Sequence, residues 1–450
     1  MKRLLTILLI TLVSVSSTVA QQKKKIGTET AAQKEKRMSW WSQDRFGMFI
    51  HFGLYAMPAR HEWVRNREYL TNEQYQPYFD LFNPDLYDAK EWAKRAKAAG
   101  MKYAVLTTKH HEGFCLFDSK FTDYKITNTP FKRDLVKEFV EAFRAEGIKV
   151  GFYYSLLDWH HPDFTVDFFH PLRPKKDEGT DTVYARLNKD RDMAKYRTYL
   201  HNQITELLTK YGKIDIMWLD FSYPGKNGKG KNDWASVELL KLIRKLQPGI
   251  IVDNRLDLDE YEDGADFATP EQVKPSELKS EYNGMSYFET CQTFSGSWGY
   301  FRDENSWKTN HELLALLITS VSKSGNLILN VGPTARGTFD YRAVSALDSI
   351  GQWMHLNSRA IYGCKEAPAS FAVPENTMLT YNPLTKRLYI HVLKYSSTIK
   401  LTGYAGIVKY TQFLHDNSEV KREEKGKDLV LTLPDKQPPF TVPVIEVVLK

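Results

Sequence analysis

Ile214-Asp215-Ile216-Met217-Trp218-Leu219-Asp220-Phe221 reads as a strand covered on both faces, because mostly apolar, β-favouring residues fill it. It ends on a carboxylate. An Asp at the exit of a buried strand is costly unless it is paired or working, so Asp220 is the first candidate for a catalytic group. Outward from this strand lie six similar runs, Arg45–His51, Tyr103–Thr108, Lys149–Ser155, Ile250–Asn254, Phe288–Thr293 and Asn326–Val331. Between the runs, amphipathic stretches predict helices at Asp88–Ala99, Arg133–Glu146, Asp192–Tyr211, Ala235–Leu246, His311–Ser322 and Asp340–Leu356. Strands alternating with helices imply parallel βαβ units. The expected fold is α/β, a (β/α)8-like, TIM-type barrel over residues 37–363 that is short of some helices. A doubly wound sheet would show a Gly-rich first turn, and the sequence has none.

Beyond Gly363 the pattern changes to short strand-like runs between turn residues, from Met378–Tyr381 to Val442–Val448. This predicts a small antiparallel β-sandwich over residues 364–450. Long loops are expected at Trp159–Asn188 and Asp257–Ser286. At the other end, Lys2 and Arg3, the apolar Leu4–Val15 and the small residues Thr18-Val19-Ala20 read as an export signal over residues 1–20, too short for a membrane span. No Cys follows it to carry a lipid anchor. The Lys-rich residues 21–36 read as a mobile lead-in. Export predicts a periplasmic location in a Gram-negative host, and a secreted or lysosome-like one otherwise.

A net charge of +7 from 62 basic and 55 acidic residues is too mild to point to nucleic acid. Cys115, Cys291 and Cys364 exclude a disulfide framework and leave room for one bridge. The 25 Tyr and 10 Trp suit either a large aromatic core or sugar binding.

Four further strand ends carry polar groups in step with Asp220. They are His51, the Thr107–Phe114 run with His110 and His111, Tyr153-Tyr154-Ser155 followed by Asp158 and His160-His161, and Asp253-Asn254-Arg255. Singly, each has an ordinary reading: Asp220 as a helix cap, Trp218 as core, Arg255 as a surface ion pair, and His160-His161 as solvated loop residues. Five in register point to a polar pocket at the carboxyl end of a barrel. Imidazoles, carboxylates, a guanidinium and aromatic rings without a phosphate-binding motif suit a neutral polyol. A glycosidase needs one carboxylate and one carboxylic acid. Arg255 beside Asp220 would favour the charged form, and the partner should sit in a less polar setting that keeps it protonated.

These residues bring a family into view. The segments Phe49–Ala59, Glu62-Trp63, Thr107–Phe114 with its Lys-His-His-Glu-Gly-Phe core, Trp218-Leu219-Asp220, Asp253-Asn254-Arg255, Phe288–Cys291, Gly296–Tyr300 and Leu327–Pro333 resemble the α-L-fucosidases of glycoside hydrolase family 29, in family order. The resemblance implies a retaining exo-enzyme that removes terminal α-L-fucose from a fucosylated oligosaccharide or glycoconjugate and needs neither cofactor nor metal. By position it makes Asp220 the nucleophile. His51, His110, His111, Tyr154, Trp218 and Arg255 would line the sugar pocket, with Glu289 and Trp298 in the substrate-binding set. Glu62 and Trp63 would lie on a loop closing over the sugar. The acid/base falls on a variable segment. Glu271, in Asp266-Phe267-Ala268-Thr269-Pro270-Glu271, is the choice, Glu289 the rival and Asp266 a third option. A galacto-configured substrate on the same scaffold, or a sugar-binding protein without catalysis, are the competing functions. Linkage, natural glycan and oligomeric state stay open at this level.

Overall fold

The computed structural model describes residues 23–175, 180–282 and 284–450; residues 1–20, read above as an export signal, lie outside the described residues. Seven strands form one sheet: β1 (Phe46–Ile50), β2 (Tyr103–Lys109), β3 (Lys149–Ser155), β4 (Ile216–Asp220), β5 (Ile251–Val252), β6 (Glu289–Thr293) and β7 (Asn326–Val331). Their order is β5-β4-β3-β2-β1-β7-β6, and every pair is parallel. The eighth position is filled by an irregular segment, residues 266–271, which bridges Asp253 to Phe267 on one side and Ala268 to Phe288 on the other. Pro270 cannot donate to a ladder, so the segment is not a regular strand. With it the strands close in chain order.

The barrel interior follows the period-two alternation of strands. Phe49, Tyr103, Val105, Tyr153, Ile216, Trp218, Ile251, Phe267, Cys291 and Ile328 pack inward as one buried cluster. The opposite faces join the larger core beneath the helices. The helices begin where the sequence supplies caps: Asp88, Asp134, Asp192 and Asp340 each accept a first-turn N–H.

Residues 21–36 depart from the sequence reading. A helix runs over Ala31–Asp44 behind a Thr30/Gln33 capping box, so the later part of the lead-in is helical. Its Met38 and Trp41 are fully buried in the barrel-interior cluster, and Asn326 Nδ2 donates to the Trp41 carbonyl at 2.9 Å. This helix plugs the bottom of the barrel. The expected loop Trp159–Asn188 also contains a helix, Asp181–Leu187.

Seven strands follow: β8 (Thr377–Asn382), β9 (Arg387–Val392), β10 (Thr398–Leu401), β11 (Val408–Phe413), β12 (Lys421–Lys425), β13 (Asp428–Thr432) and β14 (Val444–Leu449). They form antiparallel sheets β10-β13-β12 and β11-β14-β9-β8 around their own apolar cluster. β12 is exposed throughout, so no apolar alternation marks it in the sequence.

Candidate active site

The carboxyl ends of the strands converge on a cavity of about 100 Å³, lined by Phe49, His51, Trp63, His110, His111, Tyr153, Trp218, Asp220, Phe221, Arg255, Glu271, Cys291 and Trp298. Nine predicted residues meet here: His51, Trp63, His110, His111, Trp218, Asp220, Arg255, Glu271 and Trp298.

Asp220 ends β4 and is held from two sides. Arg255 Nη1 donates to Oδ1 at 2.9 Å and the Tyr153 hydroxyl donates to Oδ2 at 2.7 Å. His111 Nε2 stands 3.9 Å from Oδ2. Burial raises the Asp220 pKa above the ordinary carboxylate value, and Arg255 pulls against that shift without cancelling it. Arg255 favours the charged form, as expected from its place beside Asp220, but the low-dielectric setting outweighs the ion pair. Arg255 itself stays charged, because the carboxylates of Asp220 and Glu271 offset its own burial. Its guanidinium lies 4.6 Å over the Trp218 ring, and Thr269 Oγ1 accepts from Nε at 2.9 Å.

The second arm of the guanidinium carries the second carboxylate. Arg255 Nη2 donates to Glu271 Oε2 at 2.8 Å, so Asp220 and Glu271 sit on neighbouring nitrogens of one side chain. Glu271 is 41% exposed, a wetter and more charged setting than expected for the partner. Phe221, next after Asp220, has φ of 87°. For a bulky residue this left-handed backbone costs about 1–3 kcal/mol.

The imidazoles are neutral, and two have a definite tautomer. Ser155 Oγ donates to Leu157 O at 2.9 Å, so it accepts from His111 Nδ1 at 2.6 Å. Asn330 Nδ2 donates to Trp298 O, which leaves its Oδ1 to accept from His51 Nδ1 at 2.6 Å. In both rings Nε2 is left as an acceptor. Burial drives His51 down to about 3, and burial, aided by neighbouring rings, drives His110 and His111 well below the usual range. A sugar hydroxyl can therefore donate to His51 and His111.

Four predicted site residues lie elsewhere. Tyr154 faces the opposite side of β3, where its hydroxyl donates to Gln203 Oε1 at 2.7 Å; its neighbour Tyr153 holds the role. Glu289 starts β6 at the barrel floor, fully buried, and accepts from the Tyr103 hydroxyl. Asp266 is also buried, gripped by Arg37 at 2.8 and 2.9 Å and by Arg244 at 3.1 Å. Neither can reach a glycosidic oxygen. Glu62 stands behind the cavity: its Oε2 accepts from Trp298 N at 3.1 Å, Gly299 N at 2.9 Å and Ser297 Oγ at 3.0 Å. It ties the Trp63 loop to the Trp298 loop. His160 stacks on Tyr124 with centroids 3.7 Å apart, packed rather than solvated. The three cysteines are buried and unbridged.

The profile of the α-L-fucosidase family matches residues 12–359. This chain belongs to that family. As a member it is a glycoside hydrolase. It is 29% identical over 353 residues to α-L-fucosidase of Dictyostelium discoideum, covering 72% of this chain and 71% of the other. Against plasma α-L-fucosidase of Homo sapiens it is 28% identical, with 81% and 77% covered. Among solved structures, α-L-fucosidase isoenzyme 1 from Paenibacillus thiaminolyticus superposes with a TM-score of 0.84 at 44% identity, over 93% of this chain and 99% of that one. A Bacteroides thetaiotaomicron α-L-fucosidase trapped as a covalent intermediate with 2-fluoro-fucosyl fluoride superposes with a TM-score of 0.78 at 28% identity, over 95% and 98%. The TIM-like barrel with a C-terminal β-sandwich is the fold of this family.

Proposed function

We propose that this chain is a retaining exo-α-L-fucosidase in which Asp220 is the nucleophile and Glu271 the acid/base. The observation that carries the reading is the Arg255 fork, which presents both carboxylates to one cavity. Asp220, ionised and aimed by Arg255 and Tyr153, attacks the anomeric carbon and forms a glycosyl ester. Glu271 gives its proton to the departing oxygen. In the second step Glu271 takes a proton from water, which attacks the same carbon and frees Asp220. His51 and His111 accept sugar hydroxyls at Nε2. Phe49, Trp218, Phe221 and Trp298 supply apolar wall for a 6-deoxy sugar. The cavity is of single-ring size and closed below by the barrel core, which suits removal of a terminal residue.

The test is hydrolysis of p-nitrophenyl α-L-fucoside by the chain lacking residues 1–20, beside other aryl glycosides. The expected first product is the α-anomer, seen by NMR before mutarotation. Release from a galactoside alone would assign a different sugar, and a β-anomer would end the retaining route. Residues 1–20 support export; cytoplasmic retention of a reporter fused behind them would refute it.

A further inference from the structure

A second cleft, of about 390 Å³, opens beside the cavity and shares Phe221 and Arg255 with it. Phe169 and Tyr223 form its aromatic wall, and Asp257 and Asp259 line it too. Their rings stand edge to face 4.9 Å apart, and each packs on Phe221, at 4.9 Å for Phe169 and 5.4 Å for Tyr223. The wall is built rather than incidental. Buried Asp167 accepts from the Phe169 backbone N–H at 2.8 Å through Oδ1, and from the Tyr223 hydroxyl at 2.6 Å through Oδ2. The Lys229 ammonium neutralises that carboxylate and is itself buried. The strained backbone of Phe221 holds its ring between cavity and cleft. While most large aromatic residues of this chain are buried, Phe169, Phe221 and Tyr223 stay half-buried and Phe168 beside them is 40% exposed.

Resting on the fucosidase reading, we propose that this cleft holds the sugar to which fucose is attached, and that it selects a neutral sugar over an anionic one. Flat aromatic edges and faces pack on the C–H surface of a pyranose. Carboxylates accept its hydroxyls and repel a sulfate or carboxylate on it. The leaving sugar starts one bond from the anomeric carbon, and Arg255, which holds both catalytic carboxylates, borders the cleft. On the other flank, a cleft lined by Trp63, Trp298, Arg67, Gln272 and Lys308 pairs its aromatic faces with cations and is the competing place for the leaving sugar.

The experiment compares kcat/KM for two substrate types in wild type and variants. One is α-L-fucosyl fluoride, which has no leaving sugar; the other is the best cleaved of a panel of neutral fucosyl disaccharides. In Tyr223→Ala the disaccharide should lose at least about tenfold more than the fluoride, as for truncation of a packed aromatic anchor. In the exposed Asp259→Lys variant, with a thermal melt to check folding, a sulfated fucosyl disaccharide should gain severalfold over its neutral counterpart. Equal losses for both substrates in Tyr223→Ala, with no gain in Asp259→Lys, overturn the proposal. So does a disaccharide-specific loss in Lys308→Gln that Tyr223→Ala lacks, which would put the leaving sugar in the competing cleft. Wild type that hydrolyses the fluoride but no disaccharide also overturns it. Wild type inert toward the fluoride and aryl fucosides refutes the fucosidase reading itself.

Discussion

The two ends of the barrel interior each hold an inward-pointing carboxylate on a strand, and they have opposite characters. At the rim, Asp220 is 8% exposed, bound to an arginine that also binds Glu271, and followed by a strained Phe221. At the floor, Glu289 is sealed by the helix Ala31–Asp44, and no arginine among the described residues pairs with it: Tyr103 donates to it, with the indoles of Trp41 and Trp218 nearby. Burial pushes Glu289 up to about 7. A buried carboxyl alone therefore does not mark chemistry. Access, a counter-charge shared with a second carboxylate, and retained strain do.

The largest expected effect separates the two directly. Asp220→Asn should abolish release of p-nitrophenol from the aryl fucoside, with a loss of about 10⁴-fold or more, whereas Glu289→Gln should keep turnover within a few-fold. Comparable losses in both variants would erase the distinction between rim and floor. Next, Glu271→Ala should slow cleavage of natural fucosides by about 10²–10⁴-fold and aryl fucosides with good leaving groups far less. Azide should restore the latter, and unchanged turnover of natural fucosides would reassign the acid.

A smaller effect sharpens the geometry of the rim. Tyr153→Phe removes a donor to ionised Asp220, so the acid limb of kcat/KM should move to higher pH and activity should fall about tenfold. Tyr154→Phe should leave that limb in place. A shift in Tyr154→Phe alone would reverse the assignment of the two tyrosines. The smallest effect is on stability. A carboxyl raised to about 7 in the fold stabilises below its unfolded value near the ordinary range, and that contribution is lost as pH rises through 7. Glu289→Gln should therefore raise Tm relative to wild type by a few degrees more at pH 8 than at pH 5. An equal offset at both pH values would show that Glu289 does not titrate there.

The barrel was legible because buried parallel strands carry near-continuous apolar runs, and Asp220, Arg255 and the histidines because they sit at the ends of those runs. The error at Tyr154 was avoidable: on β3, alternation puts Gly151, Tyr153 and Ser155 on one face, and Ser155 pairs with Asp220, so Tyr153 had to face in. The Thr30/Gln33 capping box was readable too, but Lys-rich composition hid a helix with only two buried residues. Glu62 and Glu289 sit in motifs that mark the family, and a motif cannot tell a wall of the pocket from the brace behind it. The aromatic cleft was out of reach, since Phe169 and Tyr223 are 54 positions apart in sequence and meet only in the folded chain, ring against ring and both held by Asp167.

Residues 266–271 take three backbone hydrogen bonds to the β6 side, but one, Asp266 N to Val252 O, to the β5 side. There, side chains impersonate the missing ladder: Val252 N donates to Asp266 Oδ2 at 2.8 Å, and Thr269 N donates to Asn254 Oδ1 at 3.1 Å. A barrel zipped shut by two side chains can lengthen, shorten or re-aim this stave without slipping the register of its neighbours. The proposed proton donor thus rides on the part of the wall that mutation can most cheaply redraw, while the proposed nucleophile is fixed in a part that it cannot.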